Sequence, residues 1–474
     1  MKLQHSPGAH PHPSQRGQDG PASRNLAGPM WKTLLIFLIP LMLSNALQSL
    51  SNTAGSIFLG RLIGVNALAA VSTFFPILFF LVSFLIGIGS GSTVLIGQAY
   101  GAGKQEYLKA VAGTTLAFTF LLGVVLAVLG GLFNVQMLSL IGAPANILAP
   151  AAGYARILFW SLPVIFLYTV YTTFLRGTGD SRTPFYFLAV STTLGLLLTP
   201  ALILGWAGLP RLGLNGAAYA GIFSTLITFV LMLAYLQQVR HPLRLDRDLL
   251  RHLRLDWQLL KTLLKIGVPT GVQMIMVSLS EIAIVSLVNR FGSSATAAYG
   301  AYYQVANYVQ MPAISLGIAV SIFGAQAIGA GRFERLRRVI GAGIALNFVI
   351  GGVLVVLCYL FATDILGWFL TDRETLRVAH RLLMITLWSY LIFGGTSVLT
   401  GIMRSSGTVF WPTALSIFSI WAVEIPTAYI LAQKIGIDGI WVGYATAFVA
   451  GFLLQYGYYR AFWRNKRHGR LIPE

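Results

Sequence analysis

Long apolar stretches separated by short polar ones set the pattern of this chain. About twelve of them, each of roughly 20–30 residues, lie near 33–58, 68–97, 109–133, 147–175, 185–206, 214–238, 260–289, 295–328, 336–362, 375–403, 411–433 and 438–462. A hydrocarbon layer about 30 Å thick demands about 20 apolar residues of a helix that crosses it. Each stretch therefore predicts a membrane-spanning helix, because within lipid the backbone must satisfy its own hydrogen bonds. Strands of a transmembrane barrel would instead alternate over about ten residues, and that pattern is missing from the sequence. The fold class expected is all-α integral membrane.

Composition agrees. Of 474 residues, 56% are hydrophobic and 10% charged, where soluble domains carry about 25% charge. A soluble multidomain enzyme is excluded. The net charge of +19 would suggest nucleic acid in a soluble protein, but its placement argues for topology instead. On the predicted spans, 25 of the 33 Lys and Arg residues fall on one side, including Lys104, Lys109, Arg176, Arg244, Arg332, Arg404 and Arg464. The positive-inside rule makes that side cytoplasmic, with both termini on it and an even number of spans. Nucleic acid is not an expected partner; membrane lipid is.

Cys358 is the single cysteine, so no intrachain disulfide or cysteine-based metal site is possible. The first apolar run, starting near Leu34, is too long for a signal peptide. Residues 1–30 are rich in Pro, Gly, Ser and His and read as a disordered cytoplasmic tail, His5, His10 and His12 belonging to it rather than to a metal site.

The second half echoes the first. Gln98-Ala99-Tyr100-Gly101-Ala102-Gly103-Lys104 recurs as Gln326-Ala327-Ile328-Gly329-Ala330-Gly331-Arg332, a shift of 228 residues. Arg176, Gly179 and Pro184 recur as Arg404, Gly407 and Pro412 at the same 228, and Pro40 and Arg61 as Pro269 and Arg290 at 229. Each repeat holds six spans and so keeps one orientation, which relates two bundles by an axis along the membrane normal. The expected architecture is an N-lobe (31–238), a cytoplasmic linker (239–260), a C-lobe (261–462) and a cytoplasmic tail (463–474), the two six-helix lobes facing each other around a central cavity. Alternating Arg, Leu and Asp between Gln237 and Lys265 predict a short amphipathic interfacial helix in the linker.

Several stretches together resemble the multidrug and toxic compound extrusion (MATE) transporters. They are Ile39-Pro40, Phe58-Leu59-Gly60-Arg61, Ala67-Leu68-Ala69-Ala70, Gly97-Gln98-Ala99-Tyr100-Gly101, Leu175-Arg176-Gly177-Thr178-Gly179-Asp180, Thr183-Pro184 and Leu214-Asn215-Gly216-Ala217-Ala218. The second half adds Gly267-Val268-Pro269, the Gln326 repeat and Ile425-Pro426-Thr427-Ala428-Tyr429. The resemblance spans about residues 30–460. It implies secondary active export of amphipathic, often cationic, organic compounds in exchange for H⁺ or Na⁺ by alternating access. With that go a multi-pass monomer in the cell (inner) membrane, no cofactor beyond the coupling ion, and no enzymatic activity. Many bacterial members carry an aspartate in the first helix shortly before the Gly-Arg pair; here Gly55 stands there, which puts a first-lobe cation site in question.

A carboxylate at the bilayer centre costs about 2.5–3.5 kcal/mol on insertion scales, so its presence usually signals use. Only Glu281 in the seventh span and Glu424 in the eleventh lie well inside apolar runs. They are the candidates for cation coupling, as proton carriers or, with neighbouring oxygens, as sodium ligands. The structural alternatives are a neutral acid bonded to Ser278 or Ser280 for Glu281, and a packing bond beside Pro426 for Glu424. Candidate cavity residues are Asn45, Gln48 and Asn52 of the first span, Tyr168 of the fourth, Gln273 of the seventh, and Tyr299, Tyr303, Gln304 and Asn307 of the eighth. In lipid such polar faces turn inward, either to join helices or to line a wet cavity.

Other classes fit less well. A flippase for lipid-linked or polysaccharide precursors, within the same superfamily, wants cationic residues in its cavity, and these spans hold almost none. Arg176-Gly177-Thr178-Gly179-Asp180 lacks the strand and the Lys-Ser/Thr of a phosphate loop and reads as a turn. An intramembrane enzyme would need paired acids or a partnered His near the surface, which the loop histidines do not provide.

Overall fold

A computed structural model describes residues 28–466 and 469–473. Residues 1–27, with the tail histidines, lie outside the described residues. The first repeat contributes α1 (Met30–Leu62), α2 (Asn66–Gly101), α3 (Gln105–Leu140), α4 (Ala145–Gly177), α5 (Arg182–Leu204) and α6 (Leu214–Gln238). The second contributes α7 (Trp257–Asn289), α8 (Ser293–Gly329), α9 (Glu334–Leu360), α11 (Phe410–Ile435) and α12 (Asp438–Trp463). Its α10 is a pair, Arg373–Thr386 and Ser389–Ser405, bent by 45°. Eleven helices are thus long and apolar enough to span a membrane, and the bent pair makes a twelfth. This is an all-helical, multi-pass membrane protein.

The duplication extends to backbone detail. Gly103 and Gly331 close α2 and α8 with the same φ of 70°, and Gly179 and Gly407 close α4 and α10 with φ of 90° and 78°. Side chains rarely adopt such angles, so glycine in the repeated motif fixes where each helix stops.

Buried apolar residues fall into clusters that do not follow the chain halfway point. Met30, Leu34, Phe37, Leu38 and Leu41 of α1 pack with Leu316, Phe323, Val339 and Ile402 of the second repeat. Conversely, Leu259 and Leu263 of α7 join the core of the first repeat beside Leu95, Leu108 and Leu249. Farther along α7, Ile284 and Val288 return to the second repeat. Each repeat's leading helix therefore crosses to the opposite half at the end carrying the termini. Pro40 and Pro269 sit close to these crossings and interrupt the helical ladder there.

At that same end the halves meet backbone to backbone. A Cβ on Gly87 would fall 2.4 Å from the Gly267 carbonyl oxygen, and one on Gly91 2.6 Å from that of Leu263, joining α2 to α7. A Cβ on Gly101 would fall 2.1 Å from the Gln326 carbonyl oxygen, and one on Gly329 2.0 Å from that of Gln98, joining α2 to α8.

The linker holds one short helix. Between α6 and α7 only Arg247–Arg251 is helical, capped by Asp246, whose carboxylate accepts the Leu249 N–H at 2.9 Å. Leu243 and Leu249 are fully buried in the first-repeat core. The Tyr171 hydroxyl donates to the Leu243 carbonyl, and Lys109 pairs with Asp246 at 2.7 Å and Asp248 at 3.3 Å. Leu243 and Leu249 hold the segment on protein, while Leu245, Leu250 and Leu253 remain exposed.

Gly101→Leu places a branched side chain against the α8 backbone, where overpacking costs about 1–3 kcal/mol or more. We expect the thermal unfolding midpoint in detergent to fall by several degrees; an unchanged midpoint would show that α2 and α8 do not approach this closely.

Candidate functional site

The site is built on α8, the most enclosed span among those described. From Ser315 to Gly329 nearly every side chain is buried between the halves. In its first half Tyr303, Gln304, Asn307 and Tyr308 are exposed on one helical face. Amides on that face are not compatible with hydrocarbon, so the exposed surface borders the cleft between the halves. The helices thus meet at the end carrying the termini and part toward the other.

Shifted by 228 positions, the same face of α2 reads Phe75, Pro76, Phe79 and Phe80. Phe75 is 59% exposed and Phe80 56%, matching Tyr303 at 42% and Tyr308 at 53%. The two repeat-related faces are thus exposed alike but differ in chemistry, one aromatic and apolar, the other amide and phenol. Behind the apolar wall, Phe74, Leu78, Leu162 and Phe166 line a small recess of about 90 Å³ between α2 and α4.

The carboxyls lie on the α8 side. Glu281 of α7 lies near the Tyr303 hydroxyl. Glu424 ends a π-helical segment of α11 (Ser419–Glu424) and is 4% exposed. Such a bulge turns a side chain away from the regular helical register. Glu424 is near enough to feel the charge of Glu281. Around them Tyr299 and Tyr444 share a hydrogen bond of 2.8 Å, and the Tyr302 hydroxyl donates to that of Tyr390 at 3.2 Å. Tyr299 stacks on Trp441 at 5.9 Å with 8° between the rings. Two acids thus stand among phenolic oxygens on this side of the molecule.

Of the residues singled out from sequence, Glu281, Glu424, Tyr299 and Tyr303 come together, with Gln304 and Asn307 on the adjoining face of α8. Gln48 and Asn52 are exposed on α1, 3.4 Å apart, whereas the Asn45 amide donates to Ser315 Oγ at 3.2 Å and ties α1 to α8. Gln273 is half-buried on α7. Tyr168 stands apart: it packs edge-on against Phe229 of α6 at 6.2 Å, inside the first repeat. Sequence reasoning passed over Trp441 and Tyr444, although their spacing of three puts both on one face of α12. It also passed over the aromatic wall, since phenylalanine in a span carries no signal until an opposing wall is seen.

Comparison with known proteins follows from this geometry. The MatE family model matches residues 40–201 and 269–430, once in each repeat. The "Probable multidrug resistance protein YoeA" of Bacillus subtilis (strain 168) is 58% identical over 445 residues, covering 94% of this chain and 96% of the relative. The "Probable multidrug resistance protein YpnP" of the same organism is 28% identical over 439 residues, covering 91% and 95%. A solved structure, described as the outward-facing conformation of a multidrug resistance MATE family transporter of the MOP superfamily, superposes with a TM-score of 0.84 at 23% identity. It covers 94% of this chain and 99% of that one.

Removing one hydroxyl of the Tyr299–Tyr444 pair strands the other in a buried setting, a loss of about 1–3 kcal/mol. Tyr444→Phe is therefore expected to destabilise the protein more than Tyr299→Phe/Tyr444→Phe, which removes both. Denaturant melts of the three proteins measure this, and a double variant much less stable than the single would contradict the bond.

Proposed function

This chain belongs to the MatE family, and from that premise we propose that it is a multidrug efflux transporter. It exports amphipathic, often cationic, organic compounds in exchange for H⁺ or Na⁺. The observation that carries the reading is the pairing of Glu281 and Glu424 beside the one polar face that opens between the repeats. We place the protein in the cell membrane as a monomer, with both termini cytoplasmic in keeping with the bias of its basic residues.

The two walls suggest how a passenger is held. Its apolar part lies on Phe75, Phe79 and Phe80, and its charged or polar end turns toward Tyr303, Gln304, Asn307 and Glu281. Aromatic faces attract organic cations by about 0.5–2 kcal/mol each. Glu424 is buried and Glu281 half-buried, so a charge held there is costly without a partner. One charge is therefore met by a passenger cation or by the coupling ion. Binding of the ion at the acids favours release of the passenger, and this differential binding drives the change between states. A lipid-linked pyrophosphate would need cationic walls, and the residues on both faces are neutral or acidic.

Transport in proteoliposomes under separately imposed pH and sodium gradients tests the coupling. Glu281→Gln and Glu424→Gln are each expected to reduce dye export at least about tenfold, a loss of some 1.4 kcal/mol of coupling. Wild-type rates in both variants would refute the assignment, and export driven by neither gradient would refute exchange. Phe75→Ala/Phe80→Ala is expected to raise the KM for aromatic cations several-fold while leaving kcat within about twofold. An unchanged KM would remove the aromatic wall from the binding site.

A further inference from the structure

The chain end returns to the seam between the halves. At the end of α12, Trp463 Nε1 donates to Ser406 Oγ at 2.8 Å, anchoring the start of the tail. The Leu471 N–H then donates to Gln98 Oε1 at 2.8 Å. The Leu471 side chain lies against Gly407 and a small apolar cluster of Val94, Ile266, Ala325 and Val409, residues from α2, α7, α8 and the turn before α11. Ile472 is 3% exposed. The Pro473 carbonyl accepts from Lys104 Nζ at 2.6 Å, while the Arg470 guanidinium lies over Gly331. Four consecutive residues thus touch both repeats at once, through Gln98 and Lys104 on one side and Gly331 and Gly407 on the other.

A second observation comes from the duplication. Gln98 Nε2 donates to the Ser405 carbonyl at 2.8 Å, and Gln326 Nε2 to the Gly177 carbonyl at 3.0 Å. Donors and acceptors are both related by 228 positions, so the two bonds are copies of each other across the seam. Their remaining oxygens differ. Gln98 Oε1 takes the Leu471 N–H, whereas Gln326 Oε1 is buried with no partner among the described residues. The tail completes one of two equivalent amides, and only one.

We propose that residues 470–473 form a strap that holds the seam shut in the state seen here and must leave before the seam opens. If the halves part at this end during transport, as alternating access requires, Gln98 separates from Ser405, and the strap cannot stay on both. It loads the equilibrium toward the state whose cleft opens away from the termini. The strap rests on the proposed transport cycle, but its effect on the seam is measurable without transport.

The test uses spin labels on the exposed positions Gln105→Cys and Glu334→Cys, one on each half, in a Cys358→Ala background in lipid nanodiscs. Distances are compared in the full chain, a chain ending at Gly469, and Leu471→Asp in the full chain. The charge in Leu471→Asp falls into the apolar cluster and stands in should the shortened chain fail to insert. Both changes are expected to raise the ratio of long to short distances about tenfold, corresponding to 1.4 kcal/mol. Distributions identical to those of the full chain in both variants would overturn the strap. Dye export by the full chain, run in parallel, separately tests the transport reading, so the two cannot fail unnoticed together.

Discussion

Two buried amides span the seam on which the rest of this structure depends. Gln98 and Gln326 are both 0% exposed, and each reaches a backbone carbonyl of the other repeat. A buried amide left without partners costs about 1–3 kcal/mol, so a partly opened seam is disfavoured and the halves are pressed toward all-or-none separation. The bonds form only because Gly101 and Gly329 let the two helices touch. Glycine and glutamine in the repeated motif are thus one device, with close approach as its condition and the reciprocal bond as its reward.

The seam is symmetric and the site is not. Phe75 and Phe80 are exposed as their repeat counterparts Tyr303 and Tyr308 are, while the chemistry of the two faces diverged. Glu281 and Glu424, the acids well inside the apolar runs, both lie in the second repeat, where the π-helical turn of α11 places Glu424 near tyrosines. At Gly55 an added Cβ would meet nothing within 4 Å, so the first repeat has room for a further side chain there and carries none.

Much of this was legible in the sequence because it follows from local rules. Hydropathy fixed the spans, and a constant offset exposed the duplication and hence the orientation of its halves. Intramembrane charge picked out Glu281 and Glu424. What escaped depends on which helices touch. Nothing in residues 30–41 or 259–263 announces that they pack on the opposite half. Tyr168 looked like its eighth-span counterparts, yet its partner is Phe229 inside one bundle. The tail around Leu471 is too short and mixed to read as anything but a loose end. Its role exists only because Gln98 has an acceptor to spare.

The central claim is that the seam at the end carrying the termini opens in every transport cycle. A Cβ on Gly97 would stand 3.0 Å from that of Ala325 across the seam, within about 1 Å of the separation a disulfide needs. Gly97→Cys/Ala325→Cys, with Cys358→Ala, can therefore be cross-linked and assayed for dye export in proteoliposomes before and after reduction. The account predicts export abolished by oxidation and restored by reductant. Full export by quantitatively cross-linked protein would contradict it.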